Sequence, residues 1–277
     1  MLASYAQVNR GAFHMKAVQQ RERTGPGTVA KALSLLDLVA SYERPVRFTA
    51  LLKASALPKA TLHRLLQTLT EQRLLVYNEE MQTYGLGSRL VSLAHTAWQQ
   101  FSLAPLARPY IDALAETIGE TIHLAQLDNG HVLYLDKRSA GQPIAMYSQT
   151  GKIAPAYCTG VGKAMLAFLP GPAIDRAITQ QSFERFTAAT LVSPEALEAD
   201  LRLTAQRGYA IDNQEHEEGI ICIAVPILGS MGRLFGAISI TGSTARLALS
   251  DLEAHLPTLL AAAEQIGKDA QIWQAPS

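Results

Sequence analysis

Cysteine is nearly missing from this 277-residue sequence: Cys158 and Cys222 are the only two, and neither a Cys-x-x-Cys pair nor a His/Cys group at zinc spacing occurs. A disulfide scaffold and a zinc finger are therefore excluded, and no metal or cofactor is expected. Long apolar runs are missing too. No stretch reaches the roughly 18 apolar residues of a membrane span, and the N-terminus lacks the apolar core of a signal peptide, so the chain reads as cytoplasmic with no membrane partner. Net charge is also absent, 24 Lys+Arg standing against 24 Asp+Glu. That neutrality conceals two unlike halves. Residues 1–100 hold 12 basic and 6 acidic side chains, whereas 101–277 hold 12 basic and 18 acidic. A basic module precedes an acidic one, the charge footprint of a nucleic-acid binder tethered to a different domain. What is plentiful is hydrophobic content, 48%, enough at this length for two cores.

Residues 1–25 mix Gln, Asn, Arg and Gly without apolar period and are expected to form a flexible tail. Thr28 is expected to cap a first helix that carries Val29, Leu33, Leu36 and Ala40 at helical spacing. Thr49 is expected to cap a short second helix through Ala54. Leu57-Pro58 should open a third, since the missing N–H of proline costs nothing in a first turn. In that third helix Leu62, Leu65, Leu66 and Leu69 form the buried stripe, which leaves Lys59, Ala60, Thr61, His63, Arg64 and Gln67 toward the other side. Most helices have a solvated polar face, so the setting decides its meaning. Leu74-Leu75-Val76-Tyr77 and Thr83-Tyr84-Gly85-Leu86 flank a turn at 78–81 and predict a hairpin. Three helices and a hairpin wing in a basic segment, 26–87, predict a winged helix-turn-helix that binds double-stranded DNA. The six polar-face residues then meet the major groove, where Arg and Lys suit guanine, Gln suits adenine, and Ala and Thr permit close approach.

A helical period returns over 88–102, with Leu90, Leu93, Ala94, Ala97 and Phe101 on one side, a stripe that needs a partner surface. Beyond Pro105 the pattern mixes: a helix over 106–117, strands 121–127 and 131–137 around Asp128-Asn129-Gly130, and a helix opening near Thr159. Another helix follows the Ser193 cap and Pro194, two apolar runs over 219–227 and 234–241 suit central antiparallel strands, and a Ser250/Glu253 capping box starts a last helix to about Trp273. These elements predict an α+β sensor domain over 103–273, built on an antiparallel sheet.

The stretches Thr28-Val29-Ala30-Lys31-Ala32-Leu33, Leu57-Pro58-Lys59-Ala60-Thr61-Leu62-His63-Arg64-Leu65-Leu66 and Tyr84-Gly85-Leu86-Gly87 resemble the IclR family of transcriptional regulators, and the likeness continues over residues 28–270. The resemblance implies a GAF-like fold for the second domain and a linker helix that pairs two chains. It thereby implies a homodimer or a dimer of dimers on a palindromic operator. It also implies an effector pocket, with Gly160, Val161, Asp212, Cys222, Ser239 and Thr241 on its polar side and Met146, Ala154 and Ile220 on its apolar wall.

Read for their own chemistry, these residues suit a small organic acid. The turn Cys158-Thr159-Gly160-Val161-Gly162-Lys163-Ala164 enters a helix whose first N–H groups can meet a carboxylate, and it is no phosphate loop, because Tyr157 and Ala164 stand where Gly and a hydroxyl are required. Alternation places Ser239 and Thr241 on one face. An ionised Asp212 would repel an acid, so it is expected to accept a hydrogen bond from an effector hydroxyl, as in a 2-hydroxy acid or a hydrated 2-oxo acid such as glyoxylate. An aromatic acid is the alternative. An enzyme would need Cys158 or Cys222 as nucleophile with His123, His131 or His216 as base, an arrangement the sequence does not display, so no catalytic residue is expected. The acidic run Glu215-His216-Glu217-Glu218 lacks metal-ligand spacing and reads as a solvated loop. Repression and activation both stay open.

Overall fold

The structure, a computed structural model, describes residues 27–101, 103–139 and 146–273, the side chains of 99–101 and 273 excepted. The expected tail over 1–25 and the Phe101 side chain lie outside the described residues. The chain divides into two compact units, with the break between Gln100 and Phe101.

In the first unit α1 (Thr28–Ala40), β1 (Val46–Arg47), α2 (Phe48–Ala54) and α3 (Lys59–Glu71) lead into the hairpin β2 (Leu75–Asn78) and β3 (Thr83–Leu86), followed by α4 (Ser88–Phe101). The strands run in the order β1-β3-β2, antiparallel throughout, with Tyr84 opposite both Val46 and Tyr77. Leu62, Leu65, Leu66 and Leu69 of α3 are buried against Leu35, Leu36 and Val39 of α1 and Leu51 of α2. Each such leucine stabilises the fold by about 1.5–3 kcal/mol over an exposed one. The α1 stripe is displaced from the expected one: Val29 and Leu33 are exposed, and Leu35 with Val39 takes their place. That segment carries two overlapping apolar stripes, and the one nearer its C-terminal end meets the other helices. Thr28 and Thr49 lie inside their helices, because Gly27 and Arg47 occupy the cap positions; β1 keeps Arg47 extended, so α2 starts at Phe48. Pro58 caps α3 from just outside. At the wing's base, a Cβ on Gly87 would stand 2.2 Å from the Arg73 carbonyl oxygen, so only glycine lets the chain leave β3 so close to the end of α3.

The second unit runs α5 (Ala104–Ile118), β4 (Thr121–Asp128), β5 (His131–Arg138), β6 (Ile153–Pro155), α6 (Gly160–Leu166), α7 (Gly171–Thr179), α8 (Pro194–Arg207), β7 (Ala210–Asn213), β8 (Ile220–Leu228), β9 (Leu234–Ser243), α9 (Leu249–Glu253) and α10 (Leu256–Trp273). Its six strands form one antiparallel sheet in the order β6-β5-β4-β9-β8-β7. Cys222, Ala224 and Ala237 on one face pack with Val161, Ala164 and Met165 of α6 and Leu197 and Leu201 of α8. The alternate residues Ile221, Ile223, Ile238 and Ile240 are also buried, and α5 and α10 pack on that side. Burial on both faces is why β8 and β9 read as largely apolar runs. The hairpin at Asn129-Gly130 uses positive φ at both residues, 48° and 80°. Ser193 caps α8, its Oγ accepting the Ala196 N–H at 3.2 Å. The expected Ser250/Glu253 box is replaced by Asp251, whose carboxylate accepts the Ala248 N–H at 2.8 Å and starts the short α9; α10 is a separate helix. The sequence pattern predicts none of β1, β6, β7 and α7.

Candidate functional site

On α3 the side chains of Lys59, Ala60, His63, Arg64 and Gln67 are exposed and Thr61 is half-buried. Two of them have local contacts: Gln67 donates to Glu71 at 3.0 Å, and the His63 ring packs edge-on against Phe48 at 6.2 Å. The face therefore offers Lys59 and Arg64 as its free-reaching cations. On α4, Leu93, Ala94 and Ala97 are exposed with Val91, and Leu90 is half-buried against the first unit's core.

In the second unit strand register builds a site. Asp212 on β7 lies opposite Cys222 on β8, and Cys222 opposite Thr241 on β9, so the three form one row across the sheet. The next row on that face brings Ser239 of β9 opposite His123 of β4. The start of α6 stands directly over the first row. A Cβ on Gly160 would lie 2.6 Å from the Cys222 sulfur and 3.6 Å from the Asp212 Cβ. These groups, with Thr159, Val161, Tyr134, Met146, Ser148, His216, Glu217 and Ile220, line a cavity of about 40 Å³. Of the nine residues expected at a pocket, Gly160, Val161, Asp212, Cys222, Ser239, Thr241, Met146 and Ile220 surround it. Ala154 does not: it sits fully buried on the edge strand β6, opposite Val132, inside the apolar cluster. Gly160→Ala is expected to force the Cys222 side chain toward the cavity, to destabilise the unit by about 1–3 kcal/mol through overpacking and to weaken binding of the cavity's ligand. Calorimetric titration checks this, and unchanged affinity would show that the space over Cys222 is not used.

The electrostatics follow from burial. His123 is held between hydroxyls, Nε2 2.7 Å from Ser148 Oγ and Nδ1 3.1 Å from Thr241 Oγ1, with Ser239 Oγ at 3.4 Å. Burial, then the charge of Lys137, pushes its pKa down to about 3; burial brings His216 to about 4. Both rings are neutral near pH 7. Burial, then the Glu215 carboxylate, raises Asp212 to about 7, and burial raises the Cys222 thiol to about 12 and the Cys158 thiol well above its usual value. Burial thus favours the neutral thiol at both cysteines.

Beside the cavity lies a buried ion pair. Lys163 Nζ, fully buried, meets Glu215 Oε1 at 2.5 Å and Asp200 Oδ2 at 3.2 Å. Burial acts to lower its pKa, but the two carboxylates outweigh that and leave it raised, so the lysine stays charged. Glu215 in turn donates its backbone N–H to Asp212 Oδ1 at 2.9 Å, and its carbonyl accepts from Thr190 Oγ1 at 2.7 Å. The acidic run expected to be a solvated loop is thus pinned, with Glu215 buried and His216 and Glu217 on the cavity wall. Among the described residues no group of three His, Cys, Asp or Glu is placed to hold a metal ion, and no helix is long and apolar enough to cross a membrane.

His123, Tyr134, Ser148, Thr159, His216 and Glu217 were not assigned to the pocket from sequence. His123 carried a signal: it is a polar side chain set between the apolar Ile122 and Leu124.

Comparison with known proteins places these observations. Residues 95–268 match the family model described as the C-terminal domain of the bacterial transcriptional regulator IclR, and residues 28–79 match the IclR helix-turn-helix domain. The chain is 32% identical to the probable transcriptional regulator SauR of Cupriavidus necator, over 86% of this chain and 94% of that one. It is 31% identical to the transcriptional repressor IclR of Escherichia coli, covering 81% and 84%. The crystal structure of the Thermotoga maritima IclR superposes with a TM-score of 0.71 at 26% identity, over 87% of this chain and 97% of that one.

Proposed function

The chain belongs to the IclR family of transcriptional regulators, and from that premise we propose that its C-terminal cavity binds a small 2-oxo or 2-hydroxy acid, such as glyoxylate, and so alters operator binding by the N-terminal unit. That it is a DNA-binding regulator with a ligand-binding C-terminal domain, and not an enzyme, follows from the family itself. The observation that carries the finer reading is the cavity: small, lined by Thr159, Ser148, Ser239 and Thr241, all of which carry hydroxyls, and near 40 Å³. An aromatic acid fits less well, because a cavity that holds benzene is about 150 Å³. Titration calorimetry with glyoxylate, pyruvate, lactate and 4-hydroxybenzoate tests the class of ligand. Binding of the aromatic acid alone would turn the reading to that alternative. By linkage, whatever factor the acid applies to operator affinity, DNA applies to acid affinity.

For the N-terminal unit the reading is that Lys59, Ala60, Thr61, His63, Arg64 and Gln67 face the major groove and that the exposed apolar residues of α4 pair two chains on a palindromic operator. Arg64→Ala should cost about 1–3 kcal/mol of operator affinity if it reads a base, and duplex affinity should fall steeply with salt. Fluorescence anisotropy against salt measures both. A salt-independent interaction would point to a protein partner for this unit instead.

A further inference from the structure

Resting on the reading of the cavity as an acid site, we propose that the ligand enters together with one proton from solvent and that Asp212 carries it, so that a neutral carboxyl, not a cation, receives the ligand carboxylate. Among the described residues lining the cavity none is Lys or Arg, whereas Asp212 and Glu217 both line it. An anion arriving there meets two carboxyl groups and no cationic side chain, only the first N–H groups of α6. The nearby cations are committed elsewhere: Lys163 is bound to Glu215 and Asp200 and does not line the cavity, and Lys137 donates to the Ser148 carbonyl at 3.0 Å. Glu217 is engaged as well, its Oε1 accepting the Tyr147 N–H at 2.6 Å.

The proton must therefore come with the ligand, and two groups compete to hold it. His123 would have to become a cation while fully buried and with the charge of Lys137 nearby. Asp212 only has to stop being an anion. Its Oδ1 is fixed by the Glu215 N–H, and it is buried with Glu215 and Glu217 from the loop after β7, Lys163 from α6, Cys158 just before α6, Cys222 from β8 and Tyr134 from β5 around it. Burial, then Glu215, has already brought it to about 7, with Lys163 acting in the opposite sense. A ligand carboxylate alongside raises it further, because two carboxyl groups in one site share a proton more readily than they both ionise. The sign follows: the pKa is higher in the complex, so affinity is complete below the free value and lost as pH rises above it, by about tenfold per pH unit. Asp212 is then a hydrogen-bond donor to the ligand, the reverse of the acceptor role expected from sequence.

The test is calorimetry on the full chain with glyoxylate, pyruvate and 4-hydroxybenzoate at about pH 8, in phosphate and in Tris, whose heats of ionisation differ. The expected result is a binding enthalpy that differs between the buffers by the heat of about one proton, and an affinity that falls as pH is raised. Asp212→Asn, a permanently neutral stand-in, should remove both dependences while retaining affinity. Binding that is independent of buffer and pH in the native chain overturns the proton and leaves the acid site standing. Failure of all three acids to bind at any pH overturns the acid site and the proposal with it. Should the asparagine variant not fold, the native chain's buffer and pH series decide alone.

Discussion

Replacing Lys163 by methionine is expected to destabilise the C-terminal unit by about 3–5 kcal/mol, because it strips the partner from a carboxylate that stays buried. Lys163 is fully buried and Glu215 nearly so. Their attraction in a poorly polarisable interior offsets the cost of dehydrating both; removing one side leaves only that cost. The effect should reach beyond stability, since Glu215 is the residue whose N–H orients Asp212 and whose carbonyl ties the loop to Thr190. Hydrogen exchange at the β8 and β9 amides in urea measures the loss, and acid titration should weaken in parallel. The double variant Lys163→Met/Glu215→Leu should recover much of the stability, as apolar replacements of buried pairs often do. A single variant within about 1 kcal/mol of the native chain would mean that water reaches the pair.

A second large loss is expected for Leu66→Ala in the other unit, about 2–5 kcal/mol from lost burial plus the cavity left behind. Leu66 is fully buried on the inner side of α3, one turn from Lys59–His63 and beside Arg64 and Gln67. Because whole domains are held by only about 5–15 kcal/mol, a large part of the unit's margin would vanish, and duplex binding should decline with it. Far-ultraviolet circular dichroism and anisotropy on the same samples follow both quantities. Val76→Ala, at a position 55% exposed, should shift stability by under about 0.5 kcal/mol and serves as the contrast.

Much of this architecture is legible from residues alone, and the failures have physical causes. The α3 stripe and the Asp128-Asn129-Gly130 turn are strong local signals that tertiary structure left in place. Cap residues were misjudged at Thr28, Thr49 and Ser250, where hydroxyl preference names a candidate but the extended run of the preceding backbone decides, as β1 does for α2. β6 and β7, three and four residues long, are too short to show alternation. The cavity was half visible. Ser239 and Thr241 follow from alternation within one strand, whereas His123 and Tyr134 belong beside them only through pairing across strands, which no single sequence states. The Lys163–Glu215 pair, 52 residues apart, left no local trace at all.

The sheet's outermost strands have a further consequence. Its interior strands span eight to ten residues, but the two at its margins span three and four, and β6 ends in Pro155, which has no N–H to offer. A neighbouring molecule that tried to lengthen the sheet would find only a few backbone groups to grip. The domain is thereby guarded against edge-to-edge aggregation of the kind that seeds fibres.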